Sequence, residues 1–115
     1  MNLQQKNKFK NEIIYCDNIR FQSKKEAGRY RVLKLLVKAK EIKDLELQKK
    51  FELQPAYTNA NGKHIRAINY LADFYYYDNK LGCYVVEDVK GFRTKEYLLK
   101  KKMFEYKYNA IIKEL

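Results

Sequence analysis

The chain has 115 residues, of which 46% are hydrophobic and 34% are charged, and its formal net charge is +11. These values favour a single globular domain and exclude a disordered chain. No apolar run approaches the roughly 18 residues that a membrane span needs. The excess of 25 Lys and Arg over 14 Asp and Glu favours a nucleic acid as partner. A lysine-rich surface that only maintains solubility is the simpler alternative.

The first residues and the cysteines bear on location. Residues 1–10 are polar and basic and lack the apolar segment of a signal peptide. Cys16 and Cys83 lie far apart and form no CxxC pair, which argues against a zinc site. We therefore expect a cytoplasmic protein without a membrane partner.

A basic lead-in over residues 1–20 precedes a core that we place at 21–113. Within residues 13–21, two short apolar runs flank Asp17-Asn18, a pair of residues typical of turns. This pattern predicts a small hairpin just before the first helix.

Ser23, followed three residues later by Glu26, forms a capping-box pattern. Apolar residues at three- and four-residue spacing follow, and they predict a helix that runs to about Lys40 or Glu41. Glu26 has two interpretations, which are not exclusive. It closes the capping box at the Ser23 amide, or it reaches the strands as a third acidic ligand.

Three strands and a second helix are predicted after that. Residues 42–56 look extended, and 65–77 and 83–90 are rich in β-forming residues. Thr94 starts the second helix, and residues 110–112 are either its end or a final short strand. The order predicts one α/β or α+β domain over residues 1–115, with a central mixed sheet flanked by helices.

The most informative pattern joins the last two predicted strands. Asp73 is followed fifteen residues later by Asp88, with Lys90 two residues beyond it. Asp88 and Lys90 share a face because strand side chains alternate. Asp73 comes within about 5 Å of Asp88, between Cβ atoms, if the register places them opposite. The alternative is a strand-end turn residue for Asp73 and a surface ion pair for Asp88 and Lys90.

Two adjacent carboxylates repel each other unless a cation lies between them, and their oxygens suit Mg²⁺ or Mn²⁺. Such an ion polarises a phosphodiester and acidifies a bound water. Lys90 would orient or deprotonate the nucleophile, or neutralise charge on phosphorus. Charges within apolar strands cost several kcal/mol unless they are paired or bind metal, which favours this interpretation.

Basic residues around both predicted helices are candidate phosphate contacts. The alternative is a solvated basic face, in which Lys100 pairs with Glu96 and Thr94 is only a helix cap. The candidates for nucleic-acid contacts are Lys24, Lys25, Arg29, Arg93, Thr94, Lys95, Lys100 and Lys101.

Glu26 in a first helix, Asp73 on one strand and Asp88-Val89-Lys90 on the next together resemble the PD-(D/E)XK nuclease superfamily over roughly residues 20–108. The resemblance implies an α-β-β-β-α-β core, a restriction-endonuclease-like fold. It also implies Glu26, Asp73 and Asp88 as metal-site acids and Lys90 as the catalytic lysine. Ala72 stands where the superfamily name has proline, a position that varies.

Several runs also resemble a family of small basic phage proteins linked to Holliday-junction-resolvase-like nucleases. The helix–hairpin–DxK layout is similar to the N-terminal nuclease of a Tn7-type transposase as well. The runs are residues 21–30, Gln54-Pro55, Ala72-Asp73-Phe74, 87–91 and 94–97.

Together these features predict an Mg²⁺- or Mn²⁺-dependent DNA endonuclease. The resemblance implies a branched substrate, a role in phage recombination or replication, and action in the host cytoplasm. A resolvase would work as a homodimer, because two symmetric cuts need two sites. The alternatives are a non-catalytic nucleic-acid-binding module that uses the basic face, and a structural protein of a phage particle.

Overall fold

The computed structural model of the chain describes residues 13–89 and 92–115, so residues 1–12 of the lead-in and Lys90 with Gly91 lie outside it. The elements in chain order are β1 Ile14–Cys16, β2 Ile19–Phe21, α1 Lys24–Lys38, β3 Ile42–Gln54, β4 Tyr57–Thr58, β5 His64–Ile65, β6 Ile68–Asp78, β7 Cys83–Asp88, α2 Lys95–Tyr108 and β8 Ile112–Glu114.

The predicted hairpin before the first helix is confirmed, since β1 and β2 pair antiparallel. Asp17 and Asn18 have φ angles of 54° and 64°, the left-handed values that a tight two-residue hairpin turn requires. The hairpin packs Phe21 into the core beside Tyr30 of α1, with 5.0 Å between the ring centroids.

The first predicted helix is also confirmed, and it ends slightly earlier than expected. Ser23 is its N-cap, and its Oγ accepts a hydrogen bond from the Glu26 amide at 3.1 Å. The helix ends at Lys38, and Lys40 has a φ of 63°. A left-handed residue just past the last turn stops a helix.

The main sheet has four strands in the order β3-β6-β7-β8. β6 pairs antiparallel with β3 and with β7, and β8 runs parallel to β7. The predicted α/β class with a central mixed sheet is therefore confirmed. The strand predicted at 65–77 is divided, because β5 pairs with β4 in a separate two-stranded sheet and β6 begins at Ile68.

Of residues 110–112, which were predicted as the end of the helix or a short strand, only Ile112 lies in a strand, and the first two connect α2 to it. Asn109 ends α2 with a φ of 50°, and β8 follows at Ile112. None of the helices in the described ranges is long and apolar enough to cross a membrane.

The two helices cover opposite faces of the sheet. Phe74 and Tyr76 belong to the core cluster that contains Tyr30 of α1, whereas Tyr75, between them, packs against the cluster that contains Phe104 of α2. Because consecutive strand side chains point to opposite faces, the fold has three layers, helix on sheet on helix.

The pleat is interrupted in the middle of β3 and β6. Leu47 packs with the α1 cluster and Phe51 with the α2 cluster, although strict alternation would put residues four apart on one face. Their partners on β6, Phe74 and Tyr70, change clusters in the same way. Gln48 lies at this point of β3 with a φ of 52°. The register is the same on both sides of Gln48, since Leu47 pairs with Phe74 and Lys49 with Ala72, so the change of face occurs without a bulge.

Candidate active site

The structure brings Asp73 and Asp88 together. The β6–β7 ladder pairs Phe74 with Glu87, and one more step in the same register places Asp73 opposite Asp88. The Val89 amide, just past the end of β7, donates a hydrogen bond to Asp73 Oδ2 at 2.7 Å. Asp88 is fully buried. Two acidic residues therefore occupy opposite positions at the end of β7, one of them with no contact to solvent.

Asp88 is held by a tyrosine from the same face of the sheet. The Tyr70 hydroxyl donates to Asp88 Oδ2 at 2.6 Å. Burial, followed by this hydrogen bond and the negative charge of Asp88, raises the pKa of Tyr70 far above its ordinary value. The hydroxyl therefore keeps its proton at neutral pH and donates it to Asp88.

Glu26 is connected to this pair through a glutamine. Its side chain is buried in the first turn of α1, and Glu26 Oε2 accepts a hydrogen bond from Gln48 Nε2 at 3.4 Å. The same nitrogen donates to Asp73 Oδ1 at 3.2 Å. The Glu26 carboxylate thus reaches β3 and is linked to Asp73 of β6 through Gln48, while its amide takes part in the helix cap.

Gln48 was absent from the sequence prediction. A single glutamine among the polar and charged residues of β3 carries no motif. Its role depends on the register that sets it beside Asp73 and on its left-handed backbone. Neither feature can be read from the sequence around it.

Arg29, a candidate nucleic-acid contact, is paired with a buried acid. Its Nε and Nη2 donate to the two carboxylate oxygens of Glu87 at 2.8 and 2.6 Å, and the Tyr76 hydroxyl also donates to Glu87. The hydrogen bonds that Arg29 donates to Glu87 raise the pKa of Arg29. Arg29 therefore neutralises a buried carboxylate on the α1 face.

Two more of the predicted basic residues converge on an acid of β8. Arg93 Nε lies 3.0 Å from Glu114 Oε2, and Lys101 Nζ lies 3.3 Å from Glu114 Oε1. The Tyr97 hydroxyl donates to Glu114 Oε2 at 2.6 Å. The Tyr97 bond, then Arg93 and Lys101, lower the pKa of Glu114 to about 2. Both cations therefore neutralise an acid next to the candidate site.

The remaining predicted contacts lie at the starts of the two helices. Lys100 pairs with Glu96 at 3.2 Å, and Thr94 Oγ1 accepts a hydrogen bond from the Tyr97 amide at 3.0 Å as the N-cap of α2. The side chains that face solvent are Lys24, Lys25 and Lys95. Lys90, the expected catalytic lysine, falls outside the described residues.

A groove of about 610 Å³ opens between the sheet and the first turns of α2. Lys50 and Asn69 line its sheet side, and Thr94 and Lys100 line its helix side. Tyr70, the donor to Asp88, is also part of its wall. Glu96 lines the groove as well, and Tyr70 is the wall residue that contacts the buried Asp88 carboxylate.

Over residues 13–89 and 92–115, no group of three or more His, Cys, Asp or Glu side chains is arranged to hold a metal ion. A magnesium ion needs fewer protein ligands than that, since it is commonly bound by one or two carboxylates and keeps several waters. Asp73 and Asp88 offer such an all-oxygen donor pair.

A family model described as a protein of unknown function, DUF1064, matches residues 6–114. The chain belongs to the DUF1064 family. The match spans both helices and all four strands of the main sheet, so the DUF1064 domain contains every candidate site residue. No curated protein and no solved structure is similar to the chain at a significant level.

Proposed function

We propose that this chain is a metal-dependent DNA endonuclease of the PD-(D/E)XK type that acts on branched DNA. The observation that carries the proposal is the pair formed by Asp73 and the fully buried Asp88 on adjacent strands. Burying a carboxylate beside a second one is costly. A cation bound to both carboxylates would offset this cost.

The residues present fit a hard divalent cation. Asp73 and Asp88 would hold Mg²⁺ or Mn²⁺ through oxygen, with Glu26 behind them through Gln48. When bound, such an ion polarises the phosphodiester and acidifies a water molecule. Tyr70 keeps Asp88 in a fixed orientation, and Lys90 would orient or deprotonate the attacking water.

The groove beside the site supports a polyanionic substrate. A phosphodiester backbone between Lys50 and Lys100 would pass Tyr70 and the carboxylate that it holds. A net charge of +11 would draw nucleic acid to this surface. Lys25 and Lys95, both solvent-exposed, would add phosphate contacts at the starts of the helices.

The order of elements supports the superfamily assignment. The sequence α1, β3, β6, β7, α2, β8 is the α-β-β-β-α-β order that the resemblance implies. The preference for branched DNA and the homodimeric state rest on the resemblance to resolvase-like phage proteins.

The test is a cleavage assay on a four-way junction, a linear duplex and a single strand, each with Mg²⁺, Mn²⁺ or EDTA. We expect metal-dependent cleavage of the junction, lost in Asp88→Asn and Lys90→Ala. Asp44→Asn and Lys80→Ala are matched controls, because both residues are exposed and far along the strands from Asp88. Absence of cleavage by the wild-type protein in both metals would contradict the proposal.

A second candidate is a non-catalytic nucleic-acid-binding module. The solvent-exposed lysines at the starts of both helices favour it, since they do not depend on the acidic pair. It predicts that all substrates are bound without cleavage and that Lys90→Ala leaves affinity unchanged. The same assay, followed by a binding titration in EDTA, separates the two candidates.

A further inference from the structure

Gln48 combines a strained backbone with a side chain in the candidate site. Its φ of 52° is left-handed, a conformation that is uncommon for residues other than Gly, Asn and Asp. Residues held in such conformations persist only where their surroundings favour them, and they collect at functional sites. Here the left-handed residue lies where the side chains of β3 and β6 change from one face of the sheet to the other.

The side chain of Gln48 joins two acids from different layers of the fold. Its Nε2 lies 3.4 Å from Glu26 Oε2 on α1 and 3.2 Å from Asp73 Oδ1 on β6. An amide nitrogen carries two hydrogens, so one nitrogen donates to both carboxylates. The positive end of the amide dipole therefore lies between two negative groups that would otherwise repel each other.

The contact also fixes the orientation of Asp73. Its Oδ1 accepts from Gln48, and its Oδ2 accepts from the Val89 amide. With both oxygens engaged, the plane of the Asp73 carboxylate is set beside Asp88. Partners that orient a metal ligand in this way commonly determine the affinity of the site.

We propose that Gln48 is a positioning residue of the cation site, whose amide orients Asp73 and keeps Glu26 beside it. This inference rests on the proposed function and deepens it, because it assigns the affinity for a divalent cation partly to a residue outside the acidic motif. Gln48 itself contacts neither the cation nor the reacting atoms.

The decisive variant is Gln48→Gly. Glycine adopts a left-handed φ without steric cost, so the backbone of β3 is preserved while the amide is removed. We expect Mn²⁺ affinity, measured by the electron paramagnetic resonance of free Mn²⁺ in a titration, to fall about 10- to 100-fold. The thermal midpoint in EDTA should stay at or near the wild-type value.

Asp44→Gly is the matched control. Asp44 is also on β3 and exposed, with a left-handed φ of 58°, so the variant makes the same backbone change away from the site. Its Mn²⁺ affinity should equal that of the wild type. Gln48→Met supplies the opposite test, since it keeps the side-chain length and the strained φ but lacks the donor. It should lose affinity as Gln48→Gly does.

The outcomes separate this inference from the proposed function. If the wild type binds Mn²⁺ and Asp88→Asn does not, but Gln48→Gly and Gln48→Met bind like the wild type, the positioning role is wrong and the endonuclease proposal stands. Loss of affinity in the glycine variant alone would assign the effect to the backbone and overturn the role of the amide. If the folded wild type binds no Mn²⁺, both proposals fail together.

Discussion

Glu87 and Asp88 are neighbours on β7, both fully buried, yet their surroundings are opposite. Glu87 faces α1 and receives the guanidinium of Arg29 and the hydroxyl of Tyr76. Asp88 faces α2, accepts from the neutral hydroxyl of Tyr70, and lies across the ladder from Asp73. The burial of an acid does not by itself identify a functional residue, whereas the groups around it do.

The two acids also differ in the charges that surround them. A bidentate guanidinium–carboxylate pair offsets much of the cost of burying Glu87, so this acid supports the fold. Asp88 lies beside Asp73, whose charge repels it, and the Arg93 guanidinium attracts it. Arrangements in which like charges are forced together are typical of functional sites. The comparison therefore favours Glu87 as a structural residue and leaves Asp88 as the acid on which the proposed chemistry depends.

The largest expected effect comes from Asp88→Asn. Cleavage of a four-way junction in Mg²⁺ should fall on the order of 10³-fold, about 4 kcal/mol in the activation barrier. The free energy of unfolding in urea should stay within about 1 kcal/mol of wild type, because relief of repulsion offsets a weaker bond from Tyr70. If Asp88→Asn is strongly destabilised but still cleaves DNA when folded, Asp88 is a structural residue and not a catalytic one.

Arg29→Ala should show the opposite behaviour. It leaves Glu87 buried without its main cation, and breaking such a pair typically costs 3–5 kcal/mol. We expect about 3 kcal/mol, since the Arg29 side chain is 22% exposed and water can partly replace it. The measurement is urea unfolding at neutral pH, with cleavage assayed at a temperature where the variant is folded.

The double variant Arg29→Met with Glu87→Leu provides the control for that loss. Replacing both partners with apolar residues removes the uncompensated charge, so much of the stability should return. If Arg29→Ala is as stable as the wild type, the ion pair does not support the fold, and Arg29 becomes available again as a phosphate contact.

The two tyrosines offer a smaller and more closely matched test. Tyr70→Phe removes the donor to Asp88, and Tyr76→Phe removes a donor to Glu87. A hydrogen bond to a charged group contributes about 1.5–3 kcal/mol. We expect Tyr76→Phe to lower stability and leave Mn²⁺ affinity unchanged, whereas Tyr70→Phe should lower Mn²⁺ affinity. Equal effects of both variants on the affinity would remove the distinction between the two acids.

The sequence was sufficient for the parts of the fold that depend on local patterns. The capping box at Ser23, the turn at Asp17-Asn18 and the β-rich runs each act through neighbouring residues, and the corresponding elements are present. The division of the 65–77 strand was missed. Pairing of β5 with β4 is a tertiary choice that strand propensity does not determine.

The candidate site, like the fold, was predictable only where it depends on local sequence patterns. The spacing of Asp73 and Asp88 made a cross-strand pair conceivable, but only the register decides it, since a slip by one residue moves a side chain to the other face. The pairing of Arg29 with Glu87 was missed because the two residues lie 58 positions apart in the chain. Arg29 was therefore grouped with the other basic residues as a phosphate contact. Gln48 was missed because its position depends on an irregular β3 backbone.

The smallest expected effect concerns Glu114, a third acid near the site that resembles Glu87 in its surroundings. It is the partner of Asp88 in the β7–β8 register. Arg93 contacts it from the segment before α2, and Lys101 contacts it from α2. Its pKa is lowered from 4.5 to about 2, mainly by the Tyr97 hydrogen bond. The folded state therefore favours the ionised form.

The pH dependence follows from that shift. The stabilisation by Glu114 is complete above pH 4.5 and is lost as the pH falls towards 2, because the unfolded chain takes up the proton first. Glu114→Gln lacks this titration, so its deficit in unfolding free energy, of the order of 1 kcal/mol for a partly exposed network, should be constant above pH 4.5 and close towards pH 2. Urea midpoints of both proteins across this range measure it. A deficit that persists at pH 2 would mean that Glu114 acts through packing rather than through its charge. In that case Glu114, unlike Glu87, would not stabilise the fold through its ion pairs.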